Sequence, residues 1–539
     1  MSEFDFIVVG AGSAGCVLAN RLTENGKHSV LLLEAGGSDL NLWIWMPIGY
    51  GKTFYKRSVN WMYQTEPNAA LDNRVSYWPR GKLMGGSSAI NAMVYIRGQP
   101  EDFDDWHRMG NPGWGWDDVL PYFRKSETND RGADDFRGGD GPLHVASMER
   151  DLHALCQSFI AAGRQLQIRH NTDFNGAFQE GLGTYQNTAK GGMRMSAARA
   201  YIGPAKRRRN LTIAKGALAT KILFEDKRAT GVCYRQNGRL KRVTARREVI
   251  LSAGAINSPQ LLQLSGVGPG ALLRDRGIEV VHALNGVGRH LQDHLAIDFL
   301  YRAKVPTLNT QLQGWHRKLF QGMRYALTRR GPLSVGVNQA GGFVYSRPGL
   351  ARPNMQVFFS PVSYTKAPPG KRPLMNPDPF PGFLMGAQPT RPTSRGHIEI
   401  RSADPLAPPA IYPNYLATEL DIQEMIEASK LMRHLASAPA LAEIIETELA
   451  PGPQVQTDKD FLADCRARAG TVFHPVSTCR MGPDPASDVV NAHLRVHGLE
   501  GLRVVDASVF PTIVSGNTNA AAIMVGEKAS DLILREVAM

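Results

Sequence analysis

The chain is poor in cysteine, has no long apolar run and no basic leader, and each absence removes a class of protein. Its five cysteines, Cys16, Cys156, Cys233, Cys465 and Cys479, are spread over 539 residues, are odd in number and form no CxxC pair. A disulfide framework is therefore not expected, nor is a structural zinc site or other metal centre, and a reducing compartment fits. No apolar stretch reaches the roughly 18 residues that mark a membrane-spanning helix. The opening Met-Ser-Glu-Phe-Asp-Phe-Ile-Val-Val-Gly lacks the basic segment and long apolar core of a secretory signal. These absences predict a cytoplasmic protein. Acidic residues are also in the minority, 49 against 62 Lys and Arg, for a formal net charge of +13. Such a balance attracts nucleic acid or anionic lipid. The cations are scattered, however, and the densest run, Lys206-Arg207-Arg208-Arg209, sits before an apolar strand pattern without interleaved aromatics. A solvated turn and no nucleic-acid partner are expected. A peripheral electrostatic contact with a membrane surface stays open.

What is present begins with a βαβ pattern. Phe4 to Val9 reads as a buried parallel strand, Ser13 to Glu24 as a helix closed by Asn25-Gly26, and Ser29 to Glu34 as a second strand. Between the first strand and the helix stands Gly10-Ala11-Gly12-Ser13-Ala14-Gly15, a GxGxxG turn. The first glycine permits the tight turn, the second lets backbone approach a pyrophosphate, and the third lets helix and strand pack closely. Glu34, with Ala35 after it, ends the second strand where a carboxylate accepts hydrogen bonds from ribose hydroxyls. A dinucleotide site follows, with FAD and NAD both open at this point. Further strand patterns at Leu211 to Ala214, Glu248 to Ser252 and Leu502 to Val505 belong to the same sheet, so other material is inserted between its strands. Gly254 and a helical pattern from Ile256 to Leu264 follow the second of these. The insert is proline-rich from Pro353 to Pro413, alternates as a strand from Gly396 to Ile400, and is helical and amphipathic over 418–447. It suits an antiparallel sheet with helices behind it.

Four separated stretches resemble the glucose–methanol–choline oxidoreductases, in order along nearly the whole chain. They are Arg80-Gly81-Lys82-Leu83-Met84-Gly85-Gly86-Ser87-Ser88-Ala89-Ile90-Asn91, then Gly254 to Leu262 with Ser265-Gly266-Val267-Gly268, then His474-Pro475-Val476-Ser477-Thr478-Cys479-Arg480-Met481-Gly482, and finally Val505-Asp506-Ala507-Ser508 running on to Ser515-Gly516-Asn517-Thr518-Asn519. The resemblance implies an α/β + α fold, with a Rossmann-type FAD-binding domain and an inserted substrate domain of antiparallel sheet plus helices. The expected division is 1–300 and 461–539 for the cofactor domain and 301–460 for the substrate domain. It implies FAD, held by the fingerprint residues Gly10, Gly12, Ser13, Ala14 and Gly15, by Glu34 and Ala35, and by the bare turn at Gly86 and Ser87. Asn91, Ala92 and Val94 would run beside the flavin ring, Ala219 would touch adenine, and Asp506 and Ala507 would meet the ribityl chain or phosphate. Some relatives tether FAD through a histidine just before that asparagine. Ile90 stands here, so FAD is expected to be held non-covalently.

Oxidising an alcohol removes a hydroxyl proton and a carbon-bound hydride, so a base is needed near the hydroxyl. By the resemblance that base is His474, whose imidazole titrates near neutrality. Asn517 stands where relatives carry histidine or asparagine and would orient the substrate oxygen, with Thr518 backbone facing the flavin. Gln339 stands where choline-type relatives carry an acid, which favours an uncharged primary or secondary alcohol over choline. The nearest flavour is that of bacterial aliphatic or polyether alcohol dehydrogenases. The expected partners are that small-molecule alcohol and an electron acceptor: oxygen, a quinone or another carrier. The same scaffold also carries hydroxynitrile lyases and a light-driven fatty-acid decarboxylase, and choline dehydrogenation proper is the third alternative. Trp43, Trp45, Tyr50, Phe54 and Tyr55 form an aromatic cluster suited equally to a lid or to a domain interface.

Overall fold

Five consecutive apolar or acidic residues, Val30–Glu34, are all buried, because this strand pairs in parallel with neighbours on both edges and has both faces covered. One neighbour is Ser2–Val9, reached through the helix Ser13–Thr23; the other is Leu211–Lys215. Beyond Ser2–Val9 lies Arg239–Leu251, whose last three residues pair in parallel with Leu502–Val504. The computed structural model describes residues 2–364 and 377–538. The middle of the proline-rich stretch, 365–376, lies outside the described residues. Strands from the beginning, middle and end of the chain thus meet in one sheet, as the sequence predicts.

The predicted strand at Glu248 to Ser252 is only the tail of a thirteen-residue strand. Its charged front half pairs antiparallel with Arg228–Gln236, which a turn at Asp226 (φ 52°) links to Ala217–Glu225. Exposure on that hairpin tolerates Arg and Lys at many positions, so apolar patterning did not reveal it. The basic run behaves as expected, with Lys206, Arg207 and Arg209 exposed in the turn before Leu211.

A second sheet is antiparallel throughout, in the order Ile445–Ala450, Leu295–Ala303, Gly382–Pro389, Met355–Ser360, Ala340–Val344, Gly181–Thr184, with Gly470–Thr471 on the head of Leu295–Ala303. Every residue of its three central strands is buried. The helix Glu419–Ser437 packs on Gly382–Pro389, and Phe358, Ser360, Leu384 and Gly386 face a large cavity. With both faces covered, no polar alternation is required, and these strands carry no period-two signature. Two sequence expectations are corrected here. The stretch 418–447 is helical only to Ser437 and, after a turn at Pro439–Ala442, enters the edge strand Ile445–Ala450. The predicted strand around 396–400 forms over His397–Glu399 but pairs only with Ala410–Tyr412, apart from the main sheet.

Candidate active site

A cavity of about 570 Å³ lies between the two sheets and touches both. The GxGxxG turn forms one end. A Cβ on Gly10 would stand 2.5 Å from the Ser252 carbonyl oxygen, and one on Gly15 would stand 1.9 Å from the Gly10 carbonyl oxygen. Gly15 accordingly packs helix onto strand, while Gly10, Gly12, Ser13 and Ala14 line the cavity. The second glycine turn lies against the first: a Cβ on Gly86 (φ +51°) would reach Gly12 Cα at 2.8 Å, and the Gly85 N–H donates to the Ala11 carbonyl at 2.7 Å. Two bare backbone turns are therefore stacked beside the start of helix Ser13–Thr23, a cradle suited to pyrophosphate. Ser13 Oγ donates to Asn519 Oδ1 at 2.7 Å, which ties the start of helix Asn519–Ala538 to the same point. Glu34 accepts from the N–H groups of Ala11 (3.0 Å) and Gly36 (2.7 Å), and burial raises its carboxyl to about 7. Each of its oxygens keeps a lone pair for a ribose hydroxyl. Ala35, Ser87, Asn91, Ala92, Val94, Ala219, Ala507 and Thr518 all line the cavity as well. The donor set and the glycine cradle fit FAD.

Asp506 also lines the cavity, but its carboxylate is engaged within the protein. It accepts from the N–H groups of Gly254 (2.9 Å) and Ser508 (2.8 Å) and from the Ser258 hydroxyl (2.5 Å). It thereby locks the strand end at 502–504 to the start of helix Gly254–Leu264. Asn91 Oδ1 accepts from the buried Arg194 guanidinium at 2.7 Å, whose pKa burial lowers to about 9.

His474 and Asn517 meet at the other end of the cavity, with Asn517 Nδ2 3.1 Å from His474 Nε2. The chain is held there by an irregular backbone, with φ of +69° at Phe473 and +72° at Ser477. Such conformations persist only where surrounding structure enforces them. Here the Arg80 guanidinium donates to the Phe473 carbonyl at 2.6 Å, and the His474 N–H donates to Asp293 Oδ1 at 2.6 Å. Asp293 is itself held by the hydroxyls of Thr471 and Tyr415, and burial raises it to about 6. Sequence reasoning missed Asp293 and His294, which lie some 180 residues before His474. They arrive because Gln292 and Val476 pair backbone to backbone just ahead of strand Leu295–Ala303.

Hydrogen-bond direction then assigns the tautomer of His474 from both sides. His294 Nε2 lies 2.9 Å from the Thr390 carbonyl oxygen, which can only accept, so this nitrogen carries the proton. His294 Nδ1 is therefore an acceptor, and His474 Nδ1, 3.0 Å away, is the donor. On the far side, the Tyr185 hydroxyl donates to the Val357 carbonyl and accepts from Gln356 Nε2, which also donates to Asn517 Oδ1 at 3.1 Å. Asn517 thus presents its NH₂ to His474. Both chains leave His474 Nε2 unprotonated, its lone pair accepting from the Asn517 NH₂ at the cavity wall. Burial first, then His294 and Arg80, holds the His474 pKa well below the ordinary imidazole range; burial lowers His294 to about 4. The ring is neutral, and its basic nitrogen is aimed.

The aromatic cluster divides. Tyr50 and Phe54 line the cavity, with Phe54 packed edge-on against Phe473 beside His474. Trp43 is exposed, Trp45 lies under the Arg199 guanidinium, and Tyr55 stacks on Tyr77. Gln339 does not face the cavity: it is buried, accepting from the His153 N–H at 2.8 Å, and its neighbour Asn338 takes the lining position. The argument against choline from that residue therefore falls, because Gln339 does not face the cavity. All five cysteines are free and buried.

Residues 4–296 match the N-terminal GMC oxidoreductase family model, and residues 392–526 match the C-terminal one. The chain is 46% identical over 540 residues to an alcohol dehydrogenase (acceptor) of Pseudomonas putida, covering 99% of this chain and 96% of that protein. It is 44% identical to an oxygen-dependent choline dehydrogenase of Vibrio vulnificus (strain YJ016), covering 99% and 95%. Among solved structures, pyridoxine 4-oxidase from Mesorbium loti aligns with a TM-score of 0.88 at 30% identity, over 98% of this chain and 99% of that one.

Proposed function

The chain belongs to the GMC oxidoreductases, FAD-dependent enzymes acting on CH–OH donors, and on that premise we propose that His474 and Asn517 oxidise an uncharged primary or secondary alcohol to the aldehyde or ketone. The observation that carries this reading is one cavity joining a glycine cradle to a neutral histidine whose basic Nε2 faces inward. Bound FAD supplies the acceptor for the carbon-bound hydride. The substrate hydroxyl displaces the hydrogen bond between the Asn517 NH₂ and His474 Nε2 and takes up both groups in its place. His474 receives the hydroxyl proton at Nε2, a contribution of about 3–5 kcal/mol for a positioned base. Asn517 donates to the developing alkoxide. Tyr50, Phe54, Phe358 and Phe473 exclude water from the reacting centre, and the preference for an uncharged alcohol over choline rests on the likeness to the alcohol dehydrogenase (acceptor). The relative named for its acceptor supports an alcohol substrate with a separate electron acceptor: oxygen, a quinone or another carrier. We assign residues 1–300 and 461–539 to the cofactor domain and 301–460 to the substrate domain, with Gly181–Thr184, Leu295–Ala303 and Gly470–Thr471 supplying strands to the substrate sheet. FAD is held without a covalent tether through residue 90, because Ile90 offers no nucleophile.

The test is anaerobic stopped-flow absorbance of the purified yellow protein against hexanol, benzyl alcohol, a polyether and choline. Bleaching by an uncharged alcohol at a higher kcat/KM than by choline is expected. Bleaching by choline alone would overturn the substrate class. No bleaching by any alcohol would return the lyase or photochemical readings. The speed at which colour recovers in air then separates oxidase from dehydrogenase.

A further inference from the structure

One helix stands apart from the rest of the surface. Trp315–Thr328 has a single buried residue, Tyr325, whose hydroxyl donates to the Gly192 carbonyl at 2.9 Å. Five of its large apolar side chains are at least half exposed: Trp315 76%, Leu319 52%, Phe320 58%, Met323 50% and Leu327 86%. At 3.6 residues per turn they fall on one arc of about 140°, opposite Tyr325. Scattered exposed apolar residues are ordinary, but five on one face of a fourteen-residue helix make a contiguous patch that calls for a partner.

The charge around the arc says which partner. From residue 299 to residue 377 the sequence has no Asp or Glu and twelve Lys and Arg. Arg317, Lys318 and Arg324 stand on the helix beside the apolar arc, and Arg329 and Arg330 follow it. Arg330 reaches Asp151 at 3.2 Å, and Arg317 donates to the Thr310 carbonyl. A second copy docking through the same arc would bring these cations together with their own equivalents, which electrostatics opposes. Apolar residues flanked by cations suit an anionic lipid surface, where the apolar arc enters the acyl boundary and the cations meet headgroup phosphates. Fourteen residues are too few to span a bilayer, which takes about 20, and no helix among the described residues is long and apolar enough to do so.

We propose that helix Trp315–Thr328 lays its exposed apolar arc on the surface of an anionic bilayer and so holds the enzyme peripherally at a membrane. The inference goes beyond the alcohol oxidation proposed above and does not depend on it. The helix is coupled to the cavity wall: Leu308, just before it, and Val337, just after, share a buried cluster with the cavity residues Tyr50 and Phe54.

Flotation of the FAD-loaded full chain with vesicles tests this. Phosphatidylcholine vesicles are compared with vesicles containing about 30% phosphatidylglycerol, enough to set up a negative surface potential. The expected result is at least about tenfold more protein on the anionic vesicles, reduced in about 0.5 M salt where charges are screened. Changing Leu319→Gln, Phe320→Gln and Leu327→Gln together lowers partitioning at least about 100-fold, and Lys318→Gln with Arg324→Gln removes the preference for anionic lipid. These side chains are exposed, so FAD content and circular dichroism stay as in the wild type. The inference is overturned if the wild type does not float with anionic vesicles, or if the triple variant floats equally well. It is also overturned if sizing shows a dimer that the triple variant dissociates without any flotation. Alcohol-driven bleaching is measured on the same preparations, so loss of the membrane contact and failure of the proposed reaction register separately.

Discussion

Replacing His294 by alanine removes the acceptor that assigns the proton of His474, while changing none of the residues that line the cavity. In the intact protein His474 Nδ1–H donates to His294 Nδ1 at 3.0 Å, and both rings are buried. Without that acceptor the buried N–H is left unpaired, at a cost of about 1–3 kcal/mol. The cost falls on the tautomer with a basic Nε2 and not on the one that would present a proton there. The equilibrium between the two tautomers shifts against the basic one by about 5- to 150-fold, and the rate constant for flavin reduction at saturating alcohol falls by up to that factor. His474→Ala, which removes the base itself, loses about 10²- to 10⁴-fold. The conservative change His294→Asn offers Oδ1 in place of the lost Nδ1 acceptor and restores the rate to within about threefold of wild type, one retained hydrogen bond being worth the difference. A second readout separates this positioning role from general damage. His294 helps to depress the His474 pKa, so the acid limb of kcat/KM moves upward in His294→Ala. KM changes little because the side chain does not meet substrate. Anaerobic stopped-flow reduction across pH, with FAD content checked by absorbance, supplies both numbers. Equal rates for the Ala and Asn variants, or a wild-type rate in the Ala variant, would refute the relay.

Two further outcomes follow from the same geometry. With its pKa held well below the ordinary value near 6.5, His474 stays neutral and basic as pH falls through that region. The kcat/KM profile is therefore flat through about pH 6.5 and drops only in more acid solution; a limb centred at the ordinary imidazole value would contradict the burial argument. In the glycine cradle, Gly86→Ala sets a Cβ against Gly12 Cα at 2.8 Å with φ at +51°, whereas a Cβ on Gly37 has nothing within 4 Å. The Gly86 variant purifies largely colourless and the Gly37→Ala control stays yellow, as read from the flavin-to-protein absorbance ratio; equal colour would show that the turn yields.

Much of the fold was legible because its signals are local. The βαβ unit, the two glycine turns and the helix after Ser252 each place their requirement for small or apolar residues within about a dozen positions, and each forms where the sequence predicts it. The central strands of the second sheet were not legible. Covered on both faces, they have no alternation to show, and only packing against helix Glu419–Ser437 and the cavity defines them. The edge strand Ile445–Ala450 read as a continuation of that helix, because its pairing partner Leu295–Ala303 lies some 145 residues earlier.

The candidate site divides along the same line. By itself the sequence determined which residues are candidates for the chemistry: a GxGxxG turn with its acid at Glu34, a bare turn at Gly85-Gly86, and His474 and Asn517 within motifs whose resemblance names their family. The tertiary structure alone decided what state those residues are in. His474 has a defined tautomer because Thr390 and His294 on one side and Tyr185, Gln356 and Asn517 on the other pass hydrogen-bond direction inward to it. Gln339 drops out of the substrate question because its side chain turns to His153. Hydrogen-bond direction and side-chain facing are properties of contacts between segments up to some 180 residues apart, and no spacing along one chain encodes them.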